Sequence, residues 1–272
     1  MKYFLFHFIL ALFVGQPQIL IGQNFLVNGG ALSFGIADAN VCLSDGFAPI
    51  NNIAGIAEAS SSQFSLSAKV LYEGTDLSSQ YLTGLFPLKK FTVSAGILNH
   101  GNSFFNQQKI GIGIANRIGF MKMGFQINYL QIKAEGFGSM GNLVLDFGGI
   151  AELSEKLTFG AHIFNITQSG FDHEETIPVI MKAGINYSPT ANFATFLEVE
   201  KEIYSEPLFK AGIRYEIITS FFVSTGVTIN PTKNFFGVMY EGKRVGFGYS
   251  FSFHQVLGMI HQASLYIKLN NL

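Results

Sequence analysis

The stretch Val245-Gly246-Phe247-Gly248-Tyr249-Ser250-Phe251-Ser252-Phe253-His254 alternates without a break. A period of two sends successive side chains to opposite faces of an extended strand. Val245, Phe247, Tyr249, Phe251 and Phe253 therefore share one face, and Gly246, Gly248, Ser250, Ser252 and His254 share the other. The first face requires an apolar medium, while the second tolerates water or a closely packed backbone.

The same pattern recurs on both sides of this stretch. Ile177, Val179, Met181, Ala183, Ile185 and Tyr187 interleave with Lys182, Gly184, Asn186 and Ser188. Phe209, Ala211, Ile213, Tyr215 and Ile217 interleave with Lys210, Gly212, Arg214 and Glu216. Every such segment marked together gives about fourteen strands, an even number as bacterial single-chain membrane barrels have. The expected spans are 62–72, 78–87, 89–98, 108–118, 121–132, 142–152, 156–166, 177–188, 192–201, 206–217, 220–230, 234–241, 243–254 and 261–271. Alternate connections, around Pro87-Leu88, Gly119-Phe120, Ser154-Glu155, Pro189-Thr190, Ile218-Thr219 and Gly242, are tight. The intervening ones are mostly longer, at 99–107, 133–141, 167–176 and 255–260, and shorter near 74, 203 and 231. Short periplasmic turns and longer outer loops alternate in this way in outer-membrane barrels.

Composition supports the same class. The chain is 48% hydrophobic with a mean hydropathy of +0.31, and it carries 30 Gly, 29 Phe and 10 Tyr but only 13% charged residues. Downstream of the N-terminus no apolar run reaches the ~20 residues of a spanning helix, so the apolarity is distributed over strands. A soluble β-sandwich would also alternate, but its outer faces would be polar. So many apolar faces have no common core to share, whereas lipid accepts them all. A formal net charge of −1 argues against a nucleic-acid partner.

Residues 1–23 have the form of an export signal. Lys2 gives a positive start, Tyr3 to Val14 is an apolar run too short to span, and Gly15 to Gln23 is a small and polar exit with cleavage expected after Gly22 or Gln23. Cys42, the single cysteine, lies too far downstream for lipid attachment and rules out an intrachain disulfide. The expected organisation is a signal peptide at 1–23, an N-terminal segment at 24–60 and a transmembrane antiparallel β-barrel of about fourteen strands at 61–272. Phe47, Ile50, Ile53 and Ile56 are too apolar for a free periplasmic tail.

Two motifs carry a family resemblance. Gly29-Gly30-Ala31-Leu32-Ser33-Phe34-Gly35-Ile36-Ala37-Asp38-Ala39, the acidic turn Leu43-Ser44-Asp45-Gly46, and Asn51-Asn52-Ile53-Ala54-Gly55-Ile56 form the opening; Tyr249 to His254, Leu257-Gly258, His261 and Ser264-Leu265 form the close. The opening resembles the N-terminal signature of FadL-like outer-membrane barrels, including the PorV/PorQ branch associated with type IX secretion. It departs from that signature in having no proline in the Asn-Ile-Ala-Gly-Ile element. The close resembles the family's final hairpin, with His254, Gly258 and His261 at its corner. The resemblance implies an N-terminal plug inside the lumen, with Gly35, Asp45, Asn51, Asn52 and Gly55 as its marked positions. Small residues allow close backbone approach to the wall, and the asparagines can bond exposed backbone groups.

On the inferred lumen face, Lys182, Glu198, Glu200, Lys210, Arg214, Glu216 and Arg244 carry both signs. Mixed signs fit a structural ion-pair ladder better than an ion-selective ring. Catalytic patterns are lacking: His100, His162, His173, His254 and His261 are scattered, no Gly-x-Ser-x-Gly elbow occurs, and Gly111-Ile112-Gly113 falls inside a strand. No enzyme activity, cofactor or metal is expected. Two functions remain. One is a membrane platform of PorV/PorQ type for secretion-system proteins or exported cargo, and this is the preferred expectation. The other is a FadL-like transporter of hydrophobic small molecules, which the short loops, with Phe104, Phe105 and Phe171 as apolar tips, count against. Outer-membrane lipid is the common partner of both.

Overall fold

The computed structural model describes residues 27–171, 177–203, 205–254 and 257–269. The expected signal segment and its cleavage site lie outside the described residues, as does His173. Fourteen strands close into one antiparallel barrel, each paired with its sequence neighbours: β1 Gln63–Leu71, β2 Ser78–Pro87, β3 Thr92–Gly101, β4 Phe105–Ile118, β5 Met121–Ala134, β6 Gly138–Ser154, β7 Leu157–Phe164, β8 Ile180–Thr190, β9 Phe193–Glu202, β10 Leu208–Ile218, β11 Phe221–Ile229, β12 Lys233–Glu241, β13 Val245–His254 and β14 Gly258–Lys268. The ring shuts where β1 pairs with β14, from Gln63 opposite Lys268 to Leu71 opposite Ile260. Closure removes the two free edges that an open sheet of this length would expose.

Alternation along β13 falls as the sequence dictates. Phe247 and Phe253 are each 55% exposed on the outer face, while Ser250 and Ser252 are buried. Outer aromatics form cross-strand ladders, with Phe236 stacked on Phe251 at 5.5 Å and Tyr240 beside Phe247 at 5.4 Å. An apolar belt of this kind, wrapped around a closed sheet with no free edge strand, is the surface of a barrel made for lipid.

Several connections differ from expectation. The 99–107 and 133–141 loops shrink to 102–104 and 135–137, because β3 runs on to Gly101, β4 starts at Phe105, and β5 and β6 meet across Ala134 and Gly138. Polar residues there had masked the alternation, yet they sit on strands and bond sideways: Asn99 donates to Gln80 at 2.9 Å and accepts from Asn106 at 2.9 Å. Positive φ at Gly101, Gly136 and Gly138 makes these tight reversals possible. The β7–β8 connection is the long one, at 165–179, since the strand expected from 177 begins at Ile180. The end of the barrel holding 72–77, 165–179 and 203–207 is called the loop end; the other is the turn end.

Residues 27–59 run inside the ring. They form two short helices, α1 (Ala31–Gly35) and α2 (Ala48–Asn51), and a 3₁₀ turn at Ile53–Glu58. α1 packs against β11 to β14, and the 3₁₀ turn against β3 to β6, so the segment bridges opposite walls. Phe47, Ile50, Ile53 and Ile56 are all buried. Inner-face glycines make room for it: a Cβ on Gly212 would lie 2.7 Å from the Ile36 carbonyl oxygen, and one on Gly160 would lie 2.5 Å from that of Val41.

Candidate functional site: the barrel interior

The segment is tied to itself and to the wall by buried amides. Asn51 accepts from the Gly29 amide at 3.0 Å and donates to the Gly29 carbonyl at 2.9 Å, holding the opening strand of the segment against α2. Asn52 donates to the Val41 carbonyl at 2.6 Å and, at longer range, to the carbonyls of Gly149 and Ala161 on β6 and β7; its own oxygen accepts from Ala54. Gly55 sits where a Cβ would meet the Leu43 carbonyl oxygen at 2.4 Å, and Gly35 lies against Ser224, Gly237 and Ser250. The Asp45 carboxylate accepts from the Phe47 amide at 2.8 Å and caps the turn before α2. At the turn end, Lys122 bonds Glu58 at 2.7 Å and Glu152 at 3.1 Å, and Arg117 reaches both carboxylates. This latch, which the sequence reading missed, fastens the last turn of the segment to β4, β5 and β6.

The charges expected in the lumen divide into three groups. Lys210 lies 2.9 Å from Glu198 and 2.7 Å from Glu200, and also donates to the Asp38 carbonyl at 3.2 Å. Lys182 reaches Glu200 at 3.8 Å and donates to Asn28 and Asn40, while the second oxygen of Glu198 accepts from the Val41 amide at 2.7 Å. These four side chains therefore knit the inner segment to β8, β9 and β10. Arg214 pairs separately with Glu241 at 3.1 Å near the turn end, and Glu216 accepts from the Ser220 amide in the next turn. Arg244 is not on the lumen face: it is exposed in the 242–244 turn, because β13 begins one residue later, at Val245. Lys69, Lys109, Lys122 and Asp146 are buried inner-face charges that the reading passed over. Each occupies the same alternation parity as neighbouring Ser, Gly or Asn residues, which was the signal available.

His254, Gly258 and His261 do not make one polar corner. His254 follows the inner parity of β13 and its ring meets Tyr72 edge-on at 6.0 Å. His261 pairs opposite Phe251 on the outer face, where it shares a hydrogen bond with the Tyr249 hydroxyl at 2.6 Å and contacts Glu73 at 3.2 Å. Gly258 provides the positive φ of the turn between them. No cluster of metal-ligating side chains occurs among the described residues.

At the loop end the interior has two unlike halves. Between β4 and β8, Leu130, Ile132, Val144, Phe164, Ile177 and Ile180 form a buried apolar cluster against which Phe105 and Phe171 pack. Phe105 and Phe171 are thus turned into the mouth rather than being exposed tips; Phe104 and Phe137 are the exposed ones. Asn165, fully buried, clamps the long loop by donating to the carbonyls of Ser169 at 3.0 Å and Ile177 at 2.8 Å. On the opposite half a half-open cavity of about 210 Å³ remains, walled by Phe34, Leu71, Tyr72, Leu208, Phe235 and Ile260 and bordered by Lys69, Lys210, Lys233, Asp38 and Glu200. A second cavity of about 280 Å³ lies at the turn end beneath α1, beside Leu32, Asp45, Arg214, Met239, Glu241 and Lys268. Two larger apolar hollows sit on the outer face, around Ala95 and around Ala211, where small side chains interrupt large ones. They lie among the apolar side chains of the outer belt.

No family model matches the sequence, and no curated protein matches it. Solved structures do. The CymD monoaromatic hydrocarbon channel superposes with a TM-score of 0.75 at 11% identity, covering 92% of this chain and all of that one. The toluene transporter TbuX of Ralstonia pickettii gives 0.71 at 10% identity over 90% of this chain and all of that one, and the toluene transporter TodX of P. putida gives 0.70 at 12% over 91% and all. At these identities the likeness establishes the fold alone, a closed fourteen-stranded barrel. Nothing in it marks the PorV/PorQ branch or type IX secretion.

Proposed function

We propose that the chain is an outer-membrane channel that admits small apolar molecules at its loop end and passes them beside an N-terminal plug, residues 27–59, to the periplasmic turn end. In this reading residues 1–23 direct export, and the protein's partners are outer-membrane lipid and the transported molecule. It involves no chemical step and no cofactor. The observation that carries it is the half-open loop-end cavity, with aromatic and aliphatic walls and room for about one ring, since a cavity near 150 Å³ already accommodates benzene. The turn-end cavity beneath α1 supplies a place for the molecule to leave. The structural neighbours, described as hydrocarbon channels and toluene transporters, support transport over the expected secretion platform.

The test is the initial rate of labelled toluene uptake by Gram-negative cells with an intact lipopolysaccharide leaflet, with and without the protein. The expected result is uptake several-fold faster with the protein. Equal rates, with the protein shown to be folded in the outer membrane, contradict the reading.

A further inference from the structure

We infer that the loop-end cavity selects a single-ring molecule bearing an anionic group, such as an aromatic carboxylate, and that Lys233 receives the anion. The inference rests on the channel reading and changes its preferred substrate from a wholly apolar molecule to an apolar ring that carries one negative charge.

The size limit comes first. About 210 Å³ holds one ring and a small substituent but not a long acyl chain. The wall suits a ring: Phe34 and Phe235 meet edge-on with centroids 5.1 Å apart, and Leu71, Leu208 and Ile260 complete the apolar side. Such an aromatic pair presents both a face and an edge to a third ring.

Charge comes second. Three ammonium groups border the cavity, Lys69, Lys210 and Lys233, against two carboxylates, Asp38 and Glu200. Extending the count to the groups bonded to these adds Lys182 and Glu198, one of each sign, so one positive charge remains in excess. The excess can be assigned to a residue. Lys210 is saturated by two carboxylates. Lys69 donates to the Asn28 carbonyl, lies 4.0 Å from Asp38 and covers the Phe34 ring at 4.5 Å. Among the described residues Lys233 has no hydrogen bond and no ion pair. The Asp38 carboxylate on the same cavity is already engaged, accepting from Ser33 and lying 4.0 Å from Lys69. Lys233 opens β12 at the cavity's rim and is half-buried, so its charge is partly removed from water and gains from a partner.

The surrounding loops carry exposed Glu73, Asp76 and Glu206, so the outer rim does not attract anions from a distance. The recognition is short-ranged and will appear in affinity rather than in capture rate.

The experiment is calorimetric titration of the full-length protein in mild detergent with benzoate, and with benzyl alcohol as the neutral ligand of similar shape. Benzoate is expected to bind at least tenfold more tightly than benzyl alcohol. Lys233→Met should weaken benzoate at least tenfold while shifting benzyl alcohol less than twofold, and Lys233→Arg should restore most of the benzoate affinity. Folding of each variant is checked by its faster migration on gels when unboiled. Benzyl alcohol binding as tightly as benzoate, or benzoate affinity unchanged in Lys233→Met, overturns the inference. If toluene uptake proceeds but benzoate shows no preference, the anion inference fails alone. If benzoate binds as expected but the protein accelerates no uptake, the channel reading fails while the site stands.

Discussion

The two halves of the loop end are closed by different physics. Between β4 and β8 the mouth is filled by hydrocarbon: Leu130, Val144 and Phe164, with Phe105 and Phe171 packed against them, and Asn165 holds Ser169 and Ile177 by hydrogen bonds. Between β9 and β1 the wall is joined to the inner segment by the Lys69–Asp38 ion pair and by hydrogen bonds of Lys210 and Glu198 to its backbone, and a cavity is left at the surface. Apolar packing is non-directional and fills space, whereas charged groups need fixed geometry and leave gaps where no partner fits. In the proposed channel the β9–β1 half is therefore the route and the β4–β8 half stays closed.

The inner segment underlies both halves, so its removal should have the largest effect. Deleting residues 24–60 should leave a folded barrel, because all fourteen strand pairs are independent of it, but one whose single-channel conductance rises many-fold with weak ion selectivity. Planar-bilayer recordings on intact and truncated protein measure this. Equal low conductance in both would mean that something other than residues 27–59 closes the pore.

Next in size is the loss of one member of the buried pairs. Lys210→Met leaves Glu198 and Glu200 facing an apolar side chain; the Lys210 and Glu198 side chains are 2% and 1% exposed. Removing one partner of such a pair costs about 3–5 kcal/mol, so the urea midpoint should fall markedly, and Lys210→Met with Glu198→Gln should recover part of the loss. A midpoint unchanged by Lys210→Met would show that this half is not held by ions. On the sealed half, Ile177→Ala should cost about 2–4 kcal/mol through the cavity it opens, and should raise hydrogen exchange across the 165–179 loop but not across 203–207.

Outer-face substitutions come next. Phe247→Arg places a charge on the lipid face at a cost of about 2–4 kcal/mol near the bilayer midplane, and the heat-modifiable band should weaken. Alternation alone suggests Ser250→Arg as a tolerant control on the inner face. The structure removes that expectation, since Ser250 donates to the Ala31 carbonyl and abuts Gly35 and Gly237. Met239→Arg, beside the turn-end cavity, is the inner-face change with room to be accepted. The smallest effect is expected at His261: its contacts with Tyr249 and Glu73 are exposed, so His261→Ala should change stability by less than about 1 kcal/mol.

The barrel was legible because alternation is written wherever one face meets lipid and the other meets small residues, as in β10 and β13. Alternation fades where both faces turn polar, which is why Asn99, Asn106 and Gln107 read as loop although the hydrogen-bond ladder continues through them. Charges on β8 to β10 were legible by parity, but their partners Asn28, Asn40 and Asp38 were not, because contacts between an irregular segment and a wall more than a hundred residues away leave no periodic trace. The two cavities were invisible for the same reason: they are what remains after that segment is seated.

The most direct test of the open route compares two bulky substitutions in the labelled toluene uptake assay, both confirmed as folded by heat-modifiable mobility. Leu208→Trp fills the loop-end cavity, and Phe171→Trp adds bulk to the sealed half. The account predicts that Leu208→Trp lowers uptake to the level of cells lacking the protein, while Phe171→Trp retains at least half of the uptake. Uptake that survives Leu208→Trp and is lost in Phe171→Trp would place the route through the half described here as sealed, and would contradict the account.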